Sequence, residues 1–180
     1  MAQGLTCCFT GHRPEKLGFQ RGGAAETALK NRITGAVLRL IQERGVRHFI
    51  SGMALGVDTY AAQSVLKLKE LFPEITLECA LPCRGQDSRW RKEDKAVYAA
   101  ILSRADTVTV LQDRYTPFCM QLRDAYMVDR ADLVLAVWDG TPTGGTAYTV
   151  KCAEKRKKEI IVIPMEEKEK GESEKLKVKS

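Results

Sequence analysis

The feature that most constrains the fold of this chain is the alternation of short apolar runs with longer segments of helical period. The runs are rich in β-branched residues, which favour strands, whereas the longer segments repeat apolar residues every three or four positions. Strands that alternate with helices are joined by right-handed crossovers, so neighbouring strands run parallel. The pattern therefore predicts an α/β fold that is Rossmann-like and doubly wound, with a mostly parallel sheet and helices on both faces.

The same pattern indicates approximate bounds for each element. The predicted strands are residues 5–10, 46–50, 75–81, 107–111, 132–138 and 159–164. The predicted helices are residues 24–44, 57–71, 91–104, 120–130 and 144–157. We expect Gly45 to end the first of these helices, because glycine readily adopts the left-handed conformation that closes a helix.

The domain organisation follows from length and composition. A chain of 180 residues is long enough for a hydrophobic core of its own. Residues 1–165 are predicted to form a single domain, because neither a linker nor an internal repeat divides them. Residues 166–180 are rich in Glu and Lys and have no apolar face, so they are predicted to be a charged, disordered tail.

Composition also indicates where the protein works and what it binds. No apolar run approaches the roughly 20 residues of a membrane helix, and the first residues do not resemble a signal peptide. We therefore expect a cytoplasmic protein without membrane insertion. Six scattered cysteines without a Cys-x-x-Cys pair favour buried, reduced thiols over a metal site. The net charge of +6 favours an anionic partner, either a nucleotide or a nucleic acid.

Three loops that follow predicted strands carry residues suited to an anion, and such loops gather at one edge of a doubly wound sheet. In the first loop, Gly11 adds flexibility, His12 an imidazole, and Arg13 a guanidinium that can fork onto a phosphate. A turn stiffened by Pro14, with solvated charges, explains the same residues equally well.

The second loop joins a strand to a helix through Ser51, Gly52 and Gly56. Glycines let an anion approach the backbone, and the free N–H groups of the helix that follows point outward. Asp58, just inside that helix, suits either a cap or a contact to a ligand hydroxyl, and the sequence does not separate these roles. The alternative for the whole loop is a tight connection that needs glycine for packing alone.

The third loop ends with Gly144, Gly145 and Thr146 at the start of a predicted helix. Its backbone amides and hydroxyl can bind an anion, although plain turn glycines would produce the same pattern. The spacing matches neither the G-x-G-x-x-G motif of dinucleotide-dependent dehydrogenases nor a Walker loop. We therefore expect neither of those classes of protein.

Trp90 follows the third predicted strand, where its indole can stack on a base while Gln86 contacts the edge of that base. An indole that merely covers the start of a helix is at least as good an interpretation. Trp90 is therefore a candidate ligand contact with an equally strong structural explanation.

Together these motifs resemble the YpsA-like family of the SLOG superfamily, the Rossmann-like domains shared by DNA processing protein A and the lonely-guy phosphoribohydrolases. The resemblance covers nearly the whole predicted domain and rests on residues 9–14, 51–58, 123–129 and 144–146. It implies a nucleotide-related ligand held over the sheet edge. Because YpsA-like proteins are linked to control of cell division in Gram-positive bacteria, it also implies a sensor or regulator rather than a metabolic enzyme.

The lonely-guy enzymes cleave the base from a nucleoside monophosphate, and similarity to their catalytic-arginine motif makes Arg123 the leading candidate for contacting phosphate or ribose. Their glycine motif ends in a glutamate, whereas this chain has Thr149 at that position. Threonine can neither stabilise an oxocarbenium-like state nor activate water at neutral pH. Asp58, Asp124 or Glu154 would have to supply the acid, and the sequence does not choose among them.

Three functions follow, in order of preference. The first is a regulator that binds a nucleotide or nucleotide derivative and requires neither a cofactor nor catalysis. The second is a nucleoside-monophosphate hydrolase with a relocated acid, in which Arg123 is the catalytic candidate. The third is a DNA-binding protein related to DNA processing protein A, which only the modest positive charge supports. Whether the chain is an enzyme, and whether it forms a homo-oligomer, is left open.

Overall fold

The described residues form one sheet in which the central strands are parallel. In the computed structural model, which describes residues 3–165 and 177–179, the strands are β1 (Leu5–Gly11), β2 (Val46–Ser51), β3 (Thr76–Leu81), β4 (Thr107–Val110), β5 (Leu133–Val137), β6 (Glu159–Ile163) and β7 (Lys177–Lys179). Their order is β4-β3-β2-β1-β5-β6-β7. The first six strands pair in parallel, and β7 pairs antiparallel with β6.

Helices join these strands and cover both faces of the sheet. The helices are α1 (Pro14–Leu17), α2 (Ala24–Arg44), α3 (Val57–Lys69), α4 (Lys92–Arg104), α5 (Cys119–Arg130) and α6 (Gly145–Lys155). In the described part of the chain, none of them is long and apolar enough to cross a membrane.

The predicted fold class is confirmed, and the predicted elements lie close to the observed ones. The helix predicted over residues 24–44 has those bounds, and every other predicted end lies within two residues of the observed end. The sequence analysis did not predict α1, a single turn that begins at Pro14 and ends at Gly18, which has a φ of 70°. Proline suits the first position of a helix because its N–H would be unpaired there.

The segment predicted as a charged tail begins at residue 166. Within it, residues 177–179 form β7, a short strand that pairs with β6 through Lys177, Val178 and Lys179. The tail was not predicted to contain a strand. Residues 166–176 and 180 lie outside the described residues, so disorder in that part of the tail stays a prediction.

Two hydrophobic cores lie on the two faces of the sheet, because side chains alternate along each strand. Cys7 and Phe9 of β1 pack with α2, α3 and α4 in one core, whereas Cys8 packs with α5 and α6 in the other. The rings of Phe9 and Phe49 stack across β1 and β2 with centroids 5.8 Å apart. All six cysteines are buried and free, which confirms the prediction of buried thiols.

The direction of sheet growth reverses at β1, which pairs with β2 on one side and with β5 on the other. In a doubly wound sheet the loops after these strands meet at the carboxyl edge, beside the point of reversal. The candidate site therefore lies at this edge.

Gly11, at the end of β1, is required by packing. A Cβ built there would lie 2.4 Å from Cγ1 of Val57, the first residue of α3. A larger residue would push α3 away from the sheet. Gly11, which the sequence analysis named as a candidate ligand contact, therefore has a structural role.

We predict that Gly11→Ala lowers the free energy of unfolding by about 1–3 kcal/mol, the usual effect of overpacking a core. Gly35→Ala in α2 is the matched control, because nothing lies within 4 Å of a Cβ built there. Alanine should stabilise that helix by up to about 1 kcal/mol. Urea denaturation measures both changes, and a Gly11→Ala variant as stable as the wild type would contradict the packing explanation.

Candidate functional site

The loops that follow β1 and β5 are joined to each other. His12, in the β1 loop (residues 12–13), is buried, and its Nε2 lies 3.1 Å from Oδ1 of Asp139 in the β5 loop (residues 138–144). The Thr141 N–H donates to the same carboxylate oxygen at 2.9 Å. Hydrogen bonds from Thr141, and then from His12, hold the pKa of Asp139 below its usual range. His12 therefore connects two of the three predicted loops.

The β1 loop is also held by the start of α3. Gly56, which precedes α3, has a φ of 93°, and a Cβ built there would lie 2.7 Å from the carbonyl oxygen of His12. The Val57 N–H donates to that same oxygen at 3.4 Å. Gly56 is thus required by a close approach of two backbones, and one free N–H of the α3 N-terminus is used within the protein.

Ser51 and Asp58 stabilise the β2 loop (residues 52–56) from within. The Ser51 hydroxyl donates to the Asp58 carbonyl oxygen at 2.8 Å and accepts from the Met53 N–H at 3.2 Å. The Asp58 carboxylate accepts from the Ala54 N–H at 3.2 Å. Met53 has a φ of 58°, which a non-glycine residue adopts only when its surroundings hold it there. Of the two roles left open for Asp58, the geometry favours a cap of the loop backbone.

A cleft of about 570 Å³ opens between the β1 loop, the β2 loop and the segment that joins β3 to α4. Its lining contains four arginines: Arg13, Arg21, Arg89 and Arg91. The other polar and aromatic residues of the lining are Glu15, Gln86, Trp90 and Asp94. From the residues named in the sequence analysis, the cleft therefore brings together Arg13, Gln86 and Trp90.

The cleft has more positive than negative charge. Nη2 of Arg21 donates to both carboxylate oxygens of Asp94, at 2.7 and 2.8 Å. Arg13, Arg89 and Arg91 are exposed, and no carboxylate of residues 3–165 forms an ion pair with them. Four arginines against the carboxylates of Glu15 and Asp94 leave an excess of two positive charges. This excess attracts anions to the cleft.

Trp90 covers the start of α4, and its contact with a ligand stays a prediction. It lies directly before α4 and packs edge to face against Tyr98, with ring centroids 5.1 Å apart. It is also half-buried in the lining of the cleft. Beside it, the Gln86 amide donates to the Gly52 carbonyl oxygen and accepts from the Tyr98 hydroxyl, each at 3.4 Å. Bonds of this length are weak, so they leave Gln86 able to rearrange.

Arg123, the leading candidate for contacting phosphate, is buried and bonded to the protein itself. Its Nε donates to Asp124 at 2.7 Å, and its Nη1 donates to the Gly52 carbonyl oxygen. A Cβ built on Gly52 would lie 2.6 Å from Nη1, so only glycine fits beneath the guanidinium. Arg123 is not part of the cleft lining; it approaches the cleft through Met120, whose sulfur lies 3.9 Å from Nη2.

Three charged groups are buried together behind the β2 loop. Arg123, Asp58 and Asp124 are 5%, 7% and 8% exposed. Burial raises the pKa of Asp58 to about 6, an effect that the charge of Arg123 opposes and that of Asp124 reinforces. Burial disfavours the charge of Arg123, but Asp124 and Asp58 outweigh it and raise the pKa of the guanidinium. The Arg123 charge is therefore neutralised inside the protein.

The third predicted loop lies beside the cleft lining and is not part of it. Gly144 has a φ of 97° and precedes α6, which begins with Gly145 and Thr146 and has no side-chain cap. Nζ of Lys16 in α1 lies 3.9 Å from the position that a Cβ of Gly144 would take. The N-terminus of α6 and the cleft are therefore on either side of the β1 loop and α1. Thr149, which stands where the lonely-guy motif has a glutamate, uses its hydroxyl within α6: the hydroxyl donates to the Gly145 carbonyl oxygen at 3.1 Å.

The sequence analysis missed Arg89 and Arg91 as candidate site residues. Both flank Trp90 in a segment that follows a strand, and this pairing of an aromatic residue with two arginines was the available signal. Arg21 and Asp94 carried no local signal, because their ion pair joins positions that are far apart in the sequence.

The strand order, its reversal at β1 and the glycine turns at that edge define a Rossmann-like domain of the SLOG type. The sequence matches the YspA SLOG family over residues 7–167, and the chain belongs to this family. The resemblance stated from the motifs is thereby confirmed.

Two bacterial relatives match over most of their length. The UPF0398 protein BH1768 of Halalkalibacterium halodurans is 32% identical over 154 residues, which cover 84% of this chain and 81% of that protein. The UPF0398 protein YpsA of Bacillus subtilis is 27% identical over 154 residues, with 84% and 85% covered.

Solved structures share the fold at low identity. DNA processing protein A of Streptococcus pneumoniae superposes with a TM-score of 0.58 at 16% identity, covering 89% of this chain but 50% of that one. The Helicobacter pylori protein, whose structure was determined for its single-stranded DNA binding mode, has a TM-score of 0.58 at 18% identity and coverages of 88% and 64%. TM1055 has a TM-score of 0.54 at 15% identity, with 86% and 71% covered. This chain thus spans about half to two thirds of the two DNA processing proteins.

We predict that Arg123→Met lowers the free energy of unfolding by about 3–5 kcal/mol, because it leaves two buried carboxylates without their counter-charge. Arg130→Met on the same helix is the matched control. The Arg130 guanidinium lies 3.7 Å from the ring centre of Tyr126, and losing this exposed contact should remove about 1 kcal/mol or less. Urea denaturation distinguishes the two, and equal losses would contradict the assignment of Arg123 to the buried network.

We predict that Asp58 makes stability depend on pH with a definite sign. The folded protein keeps the Asp58 proton up to about pH 6, whereas the ordinary pKa of the carboxyl is 3.8. The stability that protonated Asp58 contributes is therefore complete below pH 3.8 and is lost as the pH rises through about 6, the pKa of Asp58 in the folded protein.

Asp58→Asn cannot titrate, so the free energy of unfolding of this variant minus that of the wild type should increase from about pH 4 to about pH 7. Carboxylates with lowered pKa values, such as Glu78 and Glu159, contribute equally to both proteins and cancel in the difference. Urea denaturation at several pH values measures this difference. A constant difference would show that Asp58 is not shifted.

Proposed function

We propose that this protein binds a nucleotide or nucleotide derivative in the cleft and acts as a regulator or sensor. The observation that carries the proposal is the presence of three exposed arginines in the cleft lining, Arg13, Arg89 and Arg91, that form no ion pair within residues 3–165. Guanidinium groups bind phosphate oxygens through pairs of parallel hydrogen bonds. The excess of two positive charges in the lining suits such a ligand.

The base and the remaining anionic groups of a nucleotide also have candidate contacts. Trp90 offers an indole on which a base can stack, and the weakly bonded Gln86 offers an amide for the base edge. On the other side of the β1 loop, Lys16 and the uncapped N-terminus of α6 offer further contacts for an anion. The cleft volume of about 570 Å³ lies within the usual range for small-molecule sites.

Binding without hydrolysis is the better account of the carboxylates. None of the three acids that the sequence offered for hydrolysis, Asp58, Asp124 and Glu154, belongs to the cleft lining. Breaking an N-glycosidic bond requires a carboxylate beside the sugar. Of the two carboxylates in the lining, Asp94 is paired with Arg21, so hydrolysis would have to use Glu15. The association of YpsA-like proteins with cell division supports a regulatory role. We place this role in the cytoplasm, where free thiols remain reduced.

Single-stranded DNA is the second candidate ligand, because the fold is shared with DNA processing protein A. Sites for single strands extend over about 4–16 nucleotides, with bases stacked on successive aromatic residues. The cleft offers a single tryptophan and has the volume of a small-molecule site. We therefore rank a nucleotide above DNA.

We predict that a panel of nucleotides will include at least one that raises the melting temperature increasingly with ligand concentration. Arg13→Ala should weaken binding of that nucleotide by about tenfold or more, because a hydrogen bond between charged groups contributes about 1.5–3 kcal/mol. Arg114→Ala is the matched control, since Arg114 is exposed and is not part of the cleft lining. Calorimetric titration gives the dissociation constants.

Absence of stabilisation by every nucleotide, or equal weakening by both variants, would contradict the proposed site. A titration with single-stranded DNA at two salt concentrations tests the second candidate, because binding to phosphates falls steeply with salt. Tight, salt-sensitive DNA binding without any nucleotide binding would reverse the ranking.

A further inference from the structure

The exposed apolar side chains are concentrated at one edge of the sheet. Among residues 3–165, seven large apolar side chains are exposed. Five of them belong to α4, to β4, to the segment that leads into α5, or to the first turn of α5: Val97, Val108, Tyr115, Phe118 and Leu122. A sixth, Leu71, follows Glu70, whose carboxylate lies 3.6 Å from Arg104 at the end of α4. Exposed apolar side chains that share one edge of a fold are typical of an interaction site.

The exposed side of α4 is apolar in the middle of the helix and charged at its two ends. Only Tyr98 and Ile101 of this helix are buried. Its exposed residues include the run of small and branched apolar side chains Ala96, Val97, Ala99 and Ala100. A helix that borders only solvent normally presents charged residues on this side. The composition of α4 is that of a helix with a partner on its outer side.

The edge strand itself lacks the usual protection against pairing. β4, with the sequence Thr-Val-Thr-Val, is the terminal strand of the sheet and contains neither a charge nor a proline. Edge strands are normally blunted by lysine, by proline or by a covering element. At the opposite end, β6 is followed by β7, which carries Lys177 and Lys179. The two ends of the sheet therefore differ, and only the β4 end is open and uncharged within the described residues.

We infer that the β4 edge, formed by α4, β4 and the start of α5, is an interface at which a second copy of this chain docks. A strand that pairs antiparallel with its own copy about a two-fold axis needs a self-complementary sequence. Four uncharged β-branched residues meet this requirement in any register, because each cross-strand pair then joins β-branched residues and none joins like charges.

The charges that border β4 do not oppose such docking. Asp106 forms an ion pair with Lys69, and Asp113 lies 3.1 Å from Arg84. Together with the Arg104–Glu70 pair, these contacts neutralise the charges on both sides of the strand within one copy. Most charges beside the strand are therefore paired within one copy, and the exposed Arg114 is the nearby exception among residues 3–165.

The apolar area is appropriate for a dimer. Tyr115 and Phe118 are 68% and 69% exposed. With about 200 Å² for each aromatic side chain, they expose on the order of 270 Å² together. This is about a third of the roughly 800 Å² that each partner buries in a stable interface. Leu122, Val108, Val97 and the α4 alanines enlarge it further.

The test is the mass of the full chain in solution, measured by light scattering over a range of concentrations. We expect a species with twice the 20.1 kDa of one chain. Val108→Lys should convert it to the monomer, because lysine on an edge strand prevents pairing. Leu122→Lys, on the exposed side of α5, is a second variant that does not alter the strand. Circular dichroism establishes that each variant is folded.

Tyr148→Lys on α6 is the matched control, since it also replaces an exposed apolar residue by lysine but lies on a helix that covers β5 and β6. It should remain dimeric. A wild-type chain that is monomeric at every concentration would overturn the inference and would assign the edge to a different partner. A dimer that persists in both Val108→Lys and Leu122→Lys would also overturn it. Neither result bears on nucleotide binding in the cleft.

Discussion

The buried guanidinium of Arg123 is the contact on which the carboxyl edge of the sheet depends. It joins α5 to the β2 loop through the Gly52 carbonyl oxygen, and its charge is shared between Asp124 and Asp58. A buried charge is tolerated only when it is paired and hydrogen-bonded, so the groups around Arg123 are fixed in position by it. The absence of a side chain on Gly52 is a direct consequence, because the guanidinium lies against that backbone.

The side chains that line the cleft are connected to the same group, the Gly52 carbonyl oxygen. The Gly52 carbonyl oxygen also accepts from Gln86, Gln86 accepts from Tyr98, and Tyr98 packs against Trp90. The side chains that face the proposed ligand are therefore connected to the buried ion network without belonging to it. This arrangement separates the two tasks of arginine in the protein: Arg123 holds the scaffold, whereas the exposed Arg13, Arg89 and Arg91 are available to an anion.

Much of the fold could be predicted because it depends on periodicity, and the roles of individual site residues could not. The apolar stripe of residues 24–44 and the glycine after it are local signals, and α2 has the predicted bounds. The role of Arg123 depends on which acceptors its donors meet across 71 residues of sequence, and no spacing rule contains that information. Gly11, Gly52 and Gly56 were singled out as ligand contacts, whereas each lies where another part of the chain approaches too closely for a Cβ.

The β1 loop is held from two directions, by Asp139 through the ring of His12 and by Val57 through the carbonyl oxygen of His12. Arg13 therefore projects from backbone that is already ordered before a ligand arrives, so ligand binding costs little backbone conformational entropy at this loop. Because the β1 loop is bonded to both neighbouring segments, a structural change in one of them affects the other. Asp139 does not line the cleft, but a substitution there would release His12 and shift the β1 loop, which does line it. The loops on the two sides of the strand-order reversal are therefore expected to move together.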